Sequence, residues 1–106
     1  MPRHFLCDDD LTPCEGADVI ATDVWASMGQ EAMRAERHLV LEPYRLDEAK
    51  LALASPGCLV LHCLPARRGE EITAGVLDGP NSVVWEEAEN RLHTQKALIA
   101  WLLEQT

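Results

Sequence analysis

The sequence is short of positive charge: nine Lys and Arg against eighteen Asp and Glu leave a formal net charge of −9 at pH 7. Nucleic acids and anionic membranes are bound by clustered cations, so neither is expected as a partner. A long apolar run is also missing. The longest, Ala97 to Leu103 (ALIAWLL), is far below the roughly 18 residues that a membrane-spanning helix needs. No charged-then-apolar leader opens the chain, so neither secretion nor membrane insertion is expected. The four cysteines, Cys7, Cys14, Cys58 and Cys63, form no C-x-x-C pair, and no His/Cys repeat at metal-binding spacing accompanies them, so no metal site is expected. If 58–63 is a strand its ends stand about 16 Å apart, too far for a disulfide. Reduced thiols in a cytoplasmic location fit best. No Gly-rich phosphate cradle precedes a helix, and no cofactor is expected.

What is present is an alternation of short apolar runs with amphipathic stretches, the pattern of β-α units, within one small domain of 106 residues, 47% of them hydrophobic. The runs Ala17–Thr22, Cys58–His62 and Ser82–Trp85 are rich in β-branched or bulky residues. Turn signals announce them at Gly16, Pro56-Gly57 and Gly79-Pro80-Asn81. They read as three buried parallel strands. Gln30 to Leu39 has helix-forming composition with Ala32, Met33 and Leu39 open to burial, Asp47 to Ala54 forms a second helix, and Pro43-Tyr44 separates the two. Glu86 to Leu103 reads as a long helix with acids in its first turn and Leu92, Ile99 and Leu103 on one stripe. Its last two turns are apolar nearly all round, so they should dock on something outside these residues. Asp8-Asp9-Asp10 reads as a solvated charge run, followed at Leu11-Thr12-Pro13 by one turn of helix.

In a parallel α/β sheet, ligands sit beyond the carboxyl ends of the strands. The segments there are Asp23-Val24-Trp25-Ala26-Ser27-Met28-Gly29, His62-Cys63-Leu64-Pro65, and the stretch carrying Glu87, Glu89, Asn90 and Arg91. A purely structural protein has no reason to gather Asp, Ser, His, Cys and Arg on one rim.

These segments carry a resemblance to a known family. D-V-W-A-S-M-G is similar to the ornithine-binding loop of the ornithine carbamoyltransferases, H-C-L-P-A-R-R-G-E-E to their catalytic loop, and W-E-E-A-E-N-R-L-H to the segment ending in their carbamoyl-contacting arginine. The resemblance implies an α/β fold, a three-layer parallel sheet with flanking helices. It makes residues 1–106 a partial ornithine-binding domain ending in a long C-terminal helix. It also implies transfer of the carbamoyl group of carbamoyl phosphate to the δ-amine of L-ornithine, giving L-citrulline and phosphate, in a homotrimer.

Ornithine presents an α-ammonium, an α-carboxylate and a δ-amine. Asp23 can accept from the ammonium; alone it would read as a helix N-cap or a solvated acid, but beside S-M-G it reads as a ligand. The family holds the amino-acid end with the residues matching Ser27 and Met28, and Gly29 leaves room for the backbone to approach or lets it turn with positive φ. Cys58 reads as a small buried hydrophobe. Cys63, placed between a strand end and a proline, can face the rim, where the family's cysteine contacts ornithine and its next carbonyl, here that of Leu64, lies near the carbamoyl amide. A lysine-like ammonium has a pKa of about 10.4, so the δ-amine needs an apolar setting to attack. The oxyanion then formed needs donors, each typically contributing about 2.7–4 kcal/mol. The resemblance assigns that role to His62 and Arg91.

One departure is Arg67, where many family members have histidine. Arg67 and Arg68 read as loop cations supporting the site or neighbouring acids. His4, His38 and His93 read as exposed or locally packed. The family's S-x-R-T and H-P-x-Q motifs, which bind carbamoyl phosphate from an N-terminal domain, do not occur, so the chain alone is expected to bind ornithine weakly at most. The rival readings are a relative acting on putrescine or an N-acylated ornithine, an aspartate carbamoyltransferase, and a non-catalytic amino-acid-binding or interaction domain descended from such an enzyme.

Overall fold

The computed structural model describes residues 12–27 and 29–106. The readings for Cys7, Asp8-Asp9-Asp10, His4 and Met28 lie outside them.

Two strands form the sheet. β1 (Val19–Thr22) and β2 (Leu59–His62) are parallel, with Val19 opposite Leu59 and Thr22 opposite His62. Side chains alternate across a strand. Val60 and His62 are buried on one face, where Leu46, Ile72, Val76, Leu77 and Val84 complete the core and Ile20, Leu51 and Ala66 pack against it. Val19 and Leu59 point the other way and are exposed.

The expected third strand is a single bridge. Val60 N–H donates to the Asn81 carbonyl (2.9 Å) and Val83 N–H to the Val60 carbonyl (3.1 Å), pairing Val60 with Ser82 and no further. Val84 and Trp85 belong instead to the long helix α4 (Val84–Glu104). The physical reason is Glu87: its carboxylate accepts the His62 backbone N–H at 2.9 Å, so a side chain of the helix's first turns stands at the end of β2. The fold class stands: a parallel sheet with flanking helices and a long C-terminal helix.

The crossover from β1 to β2 is helical. A 3-10 turn (Glu31–Met33) leads into α1 (Arg34–Leu41), and another 3-10 turn (Glu42–Tyr44) carries Pro43, as expected of a separator. The burial expected on this stretch does not occur, since Met33 and Leu39 are exposed. α2 (Glu48–Leu53) is capped by Asp47, whose carboxylate accepts the Lys50 N–H. A short helix unforeseen from the sequence, α3 (Ala74–Leu77), is capped by Thr73 and buries Val76 and Leu77. α4 stands out from this body. Leu98, Ile99, Trp101, Leu102 and Leu103 are all exposed near its end, and the radius of gyration is 16.2 Å, against about 13 Å for a compact domain of this length. No helix among the described residues is long and apolar enough to cross a membrane.

Candidate active site

Because Thr22 pairs with His62 in the parallel register, the residues after them leave the sheet side by side. This puts Asp23 and Cys63 in contact, with Cys63 Sγ donating to Asp23 Oδ1 at 3.1 Å. Asp23 Oδ1 also accepts the Val24 N–H at 2.7 Å. These two donors, the Cys63 thiol foremost, hold the Asp23 carboxyl below its ordinary range against the opposing effect of burial. Conversely the Cys63 thiol is pushed up, first by its bond to Asp23, then by burial and by the charges of Asp23 and Glu87. The pair is thus a carboxylate and a protonated thiol, both exposed at the rim.

His62 lies beneath them with a fully buried side chain. Its Nδ1 accepts the Leu64 N–H at 2.8 Å, so the neutral ring carries its proton on Nε2, which donates to Glu71 Oε1 at 2.8 Å. Glu71 Oε1 takes the Arg67 N–H as well, at 2.7 Å. Both ring nitrogens are therefore occupied, and none is left for the carbamoyl oxygen that the resemblance assigned to His62. What His62 does here is grip Leu64, a leucine at φ 54. A left-handed non-glycine residue costs on the order of 1–3 kcal/mol and persists only where neighbours enforce it. The His62–Glu71 pair is such an enforcer.

The loop after β1 buries Trp25 and Ala26 and leaves Ser27 exposed. Gly29 has φ 90, as its role in the turn requires, and the Ser27 carbonyl accepts the Gln30 N–H at 3.0 Å. The Trp25 ring meets the edge of the His38 ring (5.2 Å between centroids) and the Arg45 guanidinium (5.9 Å). His93 pairs with Glu89 on the surface of α4.

Arg91 stands apart from the Asp23–Cys63 pair. It lines an open groove of about 590 Å³ between α4 and the exposed face of β2, together with Leu59, Leu61, Val83, Glu87 and Asn90. No hydrogen bond or ion pair ties it to another described residue. Glu87 joins groove and rim: it lies one helical turn before Arg91 on the same face, lines the groove and caps β2 through the His62 N–H. Arg68 forms a bidentate pair with Asp78 (2.8 Å and 2.8 Å), the neighbouring acid expected for a loop cation.

Ligand atoms of Asp23, His62 and Cys63 lie within 4.8 Å of one another, close enough to share a metal ion. The donor set fits one poorly, because the His62 nitrogens are engaged and the thiol is held protonated. Two contributors to the site were not singled out from sequence, Glu71 and Arg37, and Glu87 was placed on the rim without its part in capping β2. Glu71 ends the quoted H-C-L-P-A-R-R-G-E-E stretch, but nothing in its local composition marks it as buried.

The family model of the aspartate/ornithine carbamoyltransferase Asp/Orn binding domain matches residues 3–102. An ornithine carbamoyltransferase of Renibacterium salmoninarum is 61% identical over 102 residues, which are 96% of this chain and 33% of the relative. Among solved structures, the ornithine carbamoyltransferase of Pyrococcus furiosus is 53% identical with a TM-score of 0.78, covering 85% of this chain and 29% of that one. The anabolic enzyme of Campylobacter jejuni is 35% identical with a TM-score of 0.80, covering 91% of this chain and 32% of that one. The chain thus spans about a third of the length of the relatives it matches.

Proposed function

We infer that this chain, which belongs to the aspartate/ornithine carbamoyltransferase family, supplies the amino-acid side of a site that transfers the carbamoyl group of carbamoyl phosphate to the δ-amine of L-ornithine. The observation that carries the reading is the Asp23–Cys63 pair, a depressed carboxylate beside a protonated thiol, with Ser27 exposed on the loop that follows Asp23.

Asp23 accepts from the α-ammonium, as a carboxylate held ionised can. Ser27 and Met28 hold the rest of the amino-acid head. The Cys63 thiol stays protonated and contacts the substrate without attacking it, and the Leu64 carbonyl, fixed through His62 and Glu71, receives the carbamoyl amide. The δ-amine attacks the carbonyl carbon, a tetrahedral oxyanion forms, and phosphate leaves with the C–O bonding pair and takes up the proton that the attacking amine sheds. Arg91, which lines the groove beside Glu87, is the cation that turns toward the oxyanion. His62 acts through Leu64.

Carbamoyl phosphate is held by segments of the longer family members that this chain does not match, and three copies complete the site. This chain alone binds ornithine weakly and does not turn over. The cytoplasm, with arginine biosynthesis or a urea cycle as the setting, goes with the reading, and the free thiols Cys14, Cys58 and Cys63 support a reducing compartment.

Calorimetric titration with ornithine and with norvaline, which lacks the reacting amine, tests the binding half; similar affinities for the two are expected. Binding of neither overturns it. An assay of citrulline formation tests the other half, and robust turnover by this chain alone contradicts it.

A further inference from the structure

We propose that Arg37 is a positioning residue for the substrate loop, tying Trp25 to Gln30 on either side of Ser27 with one nitrogen of its guanidinium. The proposal rests on the amino-acid-binding reading given above.

Arg37 Nη1 donates to the Trp25 carbonyl at 3.0 Å and to the Gln30 Oε1 at 2.9 Å. A guanidinium nitrogen of this kind carries two hydrogens, so a single atom serves both partners. The two residues stand at opposite ends of the loop, with Ser27 and Gly29 between them. The chord of the loop is therefore set from outside it, by α1. On the near side the Trp25 ring is buried and fixed by the His38 edge and the Arg45 cation. On the far side Gly29 turns the chain back at φ 90, donates its N–H to Glu31 Oε1 (3.1 Å), and Gln30 closes on the Ser27 carbonyl. Arg37 anchors the Gln30 side chain and supplies a donor to the Trp25 carbonyl, and its loss releases both. Ser27 would then sit on a segment whose two ends α1 no longer ties to each other. Neighbouring Arg34 does something different: it reaches Glu70 on the other site loop, and Arg45 Nε donates to the Glu70 carbonyl. Arg37 is the cation of this helical stretch whose bonds lie wholly on the Asp23 loop.

The test compares the full 106-residue chain with Arg37→Gln and Arg37→Lys, and with Lys96→Met on the exposed surface of α4 as a control. Backbone 15N relaxation is read at Trp25, Ser27, Gly29 and Gln30, and norvaline and ornithine affinities are read by calorimetry. In Arg37→Gln the loop order parameters fall from about 0.85 toward 0.6 or below while those of β2 and α4 hold. Both affinities fall together by about tenfold, the loss of a charge-assisted bond. Arg37→Lys recovers part of each, because it keeps the charge and loses the fork. Lys96→Met changes neither. Unchanged loop relaxation in Arg37→Gln overturns the proposal, as does an unchanged norvaline affinity in a wild-type chain that binds. If the wild type binds neither amino acid, the function reading has failed, and the ligand-free relaxation comparison still decides the hold of Arg37 on the loop. Should Arg37→Gln not fold, Arg37→Lys carries the same comparison.

Discussion

The Cys63 thiol gives its hydrogen to the Asp23 carboxylate across 3.1 Å, and each residue shifts the other's protonation, Asp23 downward and Cys63 upward. One bond thus keeps an acid ionised and a nucleophile quiet in the same place.

That bond makes Cys63 a slow thiol despite its exposure. At about pH 8, where an ordinary cysteine is partly thiolate, alkylation of Cys63 by iodoacetamide should lag behind that of free cysteine. Asp23→Asn removes the charge that raises the thiol's pKa, so the reaction accelerates and its pH midpoint moves down. Mass spectrometry of the peptide containing Cys63 measures this directly, and an unchanged midpoint in Asp23→Asn would contradict it.

Ornithine binding should survive into acid. The Cys63 thiol and the Val24 N–H hold Asp23's folded pKa below its ordinary value of 3.8; a depressed carboxylate contributes fully above its unfolded value and loses that contribution as the pH falls through the folded one. The affinity therefore holds down to about pH 4 and declines below it. Replacing Asp23 by Asn leaves an amide in place of a charged acceptor, with a loss of about 1.5–3 kcal/mol. Titration calorimetry across the acid range distinguishes this from a midpoint above pH 5.

Glu71 should matter to stability more than its loop position suggests. In Glu71→Ala the His62 Nε2–H and the Arg67 N–H lose one shared acceptor inside the protein. An orphaned buried donor costs about 1–3 kcal/mol, readable as a lower urea midpoint. Glu71→Gln keeps a carbonyl oxygen there and should cost less. Equal losses would mean the carboxylate charge matters more than the acceptor.

The two apolar populations of the chain should respond oppositely to mutation. Leu77→Ala, in the core, should cost about 2–5 kcal/mol, whereas Leu102→Ala, on the exposed end of α4, should change stability by no more than about 0.5 kcal/mol. Self-association should follow the reverse order: light scattering at high concentration detects oligomers that Ile99→Glu with Leu102→Glu disperses. A wild type that stays monomeric there removes α4's end as a sticky surface.

Much of this was legible in the residues. Val19–Thr22 and Leu59–His62 were readable as strands because each is a short apolar run behind a turn signal, and the Asp23 and Cys63 segments could be placed on one rim because parallel strands deliver their ends together. Ser82 to Trp85 misled for a definite reason. Its β-branched residues favour a strand locally, but the winning interaction, Glu87 on the His62 N–H, joins residues 25 apart in sequence. The buried Glu71 was hidden in the same way. A glutamate after Gly69-Glu70 looks solvated, and what buries it is a histidine two strand residues beyond Val60. The exposed α1 residues Met33 and Leu39 read as core because composition shows which side chains can be buried, not whether anything covers them. The grip of Arg37 on Trp25 needed coordinates, since no spacing rule links a loop carbonyl to an arginine twelve residues on.

The pairing of Thr22 with His62 also fixes what evolution can vary here. Side chains alternate every residue along a strand, so sliding β2 by one position against β1 would turn His62 outward, carry Cys63 inward and strand Glu71 without its partner. Of the 36 positions between the strands, those beyond the Asp23 loop, Arg37 and the core residue Leu46 answer to no such constraint, since a helical crossover can lengthen or shorten by closing its loop differently. Insertions and deletions should therefore be found in the crossover and be rare at the two strand ends, where a single-residue frameshift in register would dismantle the rim.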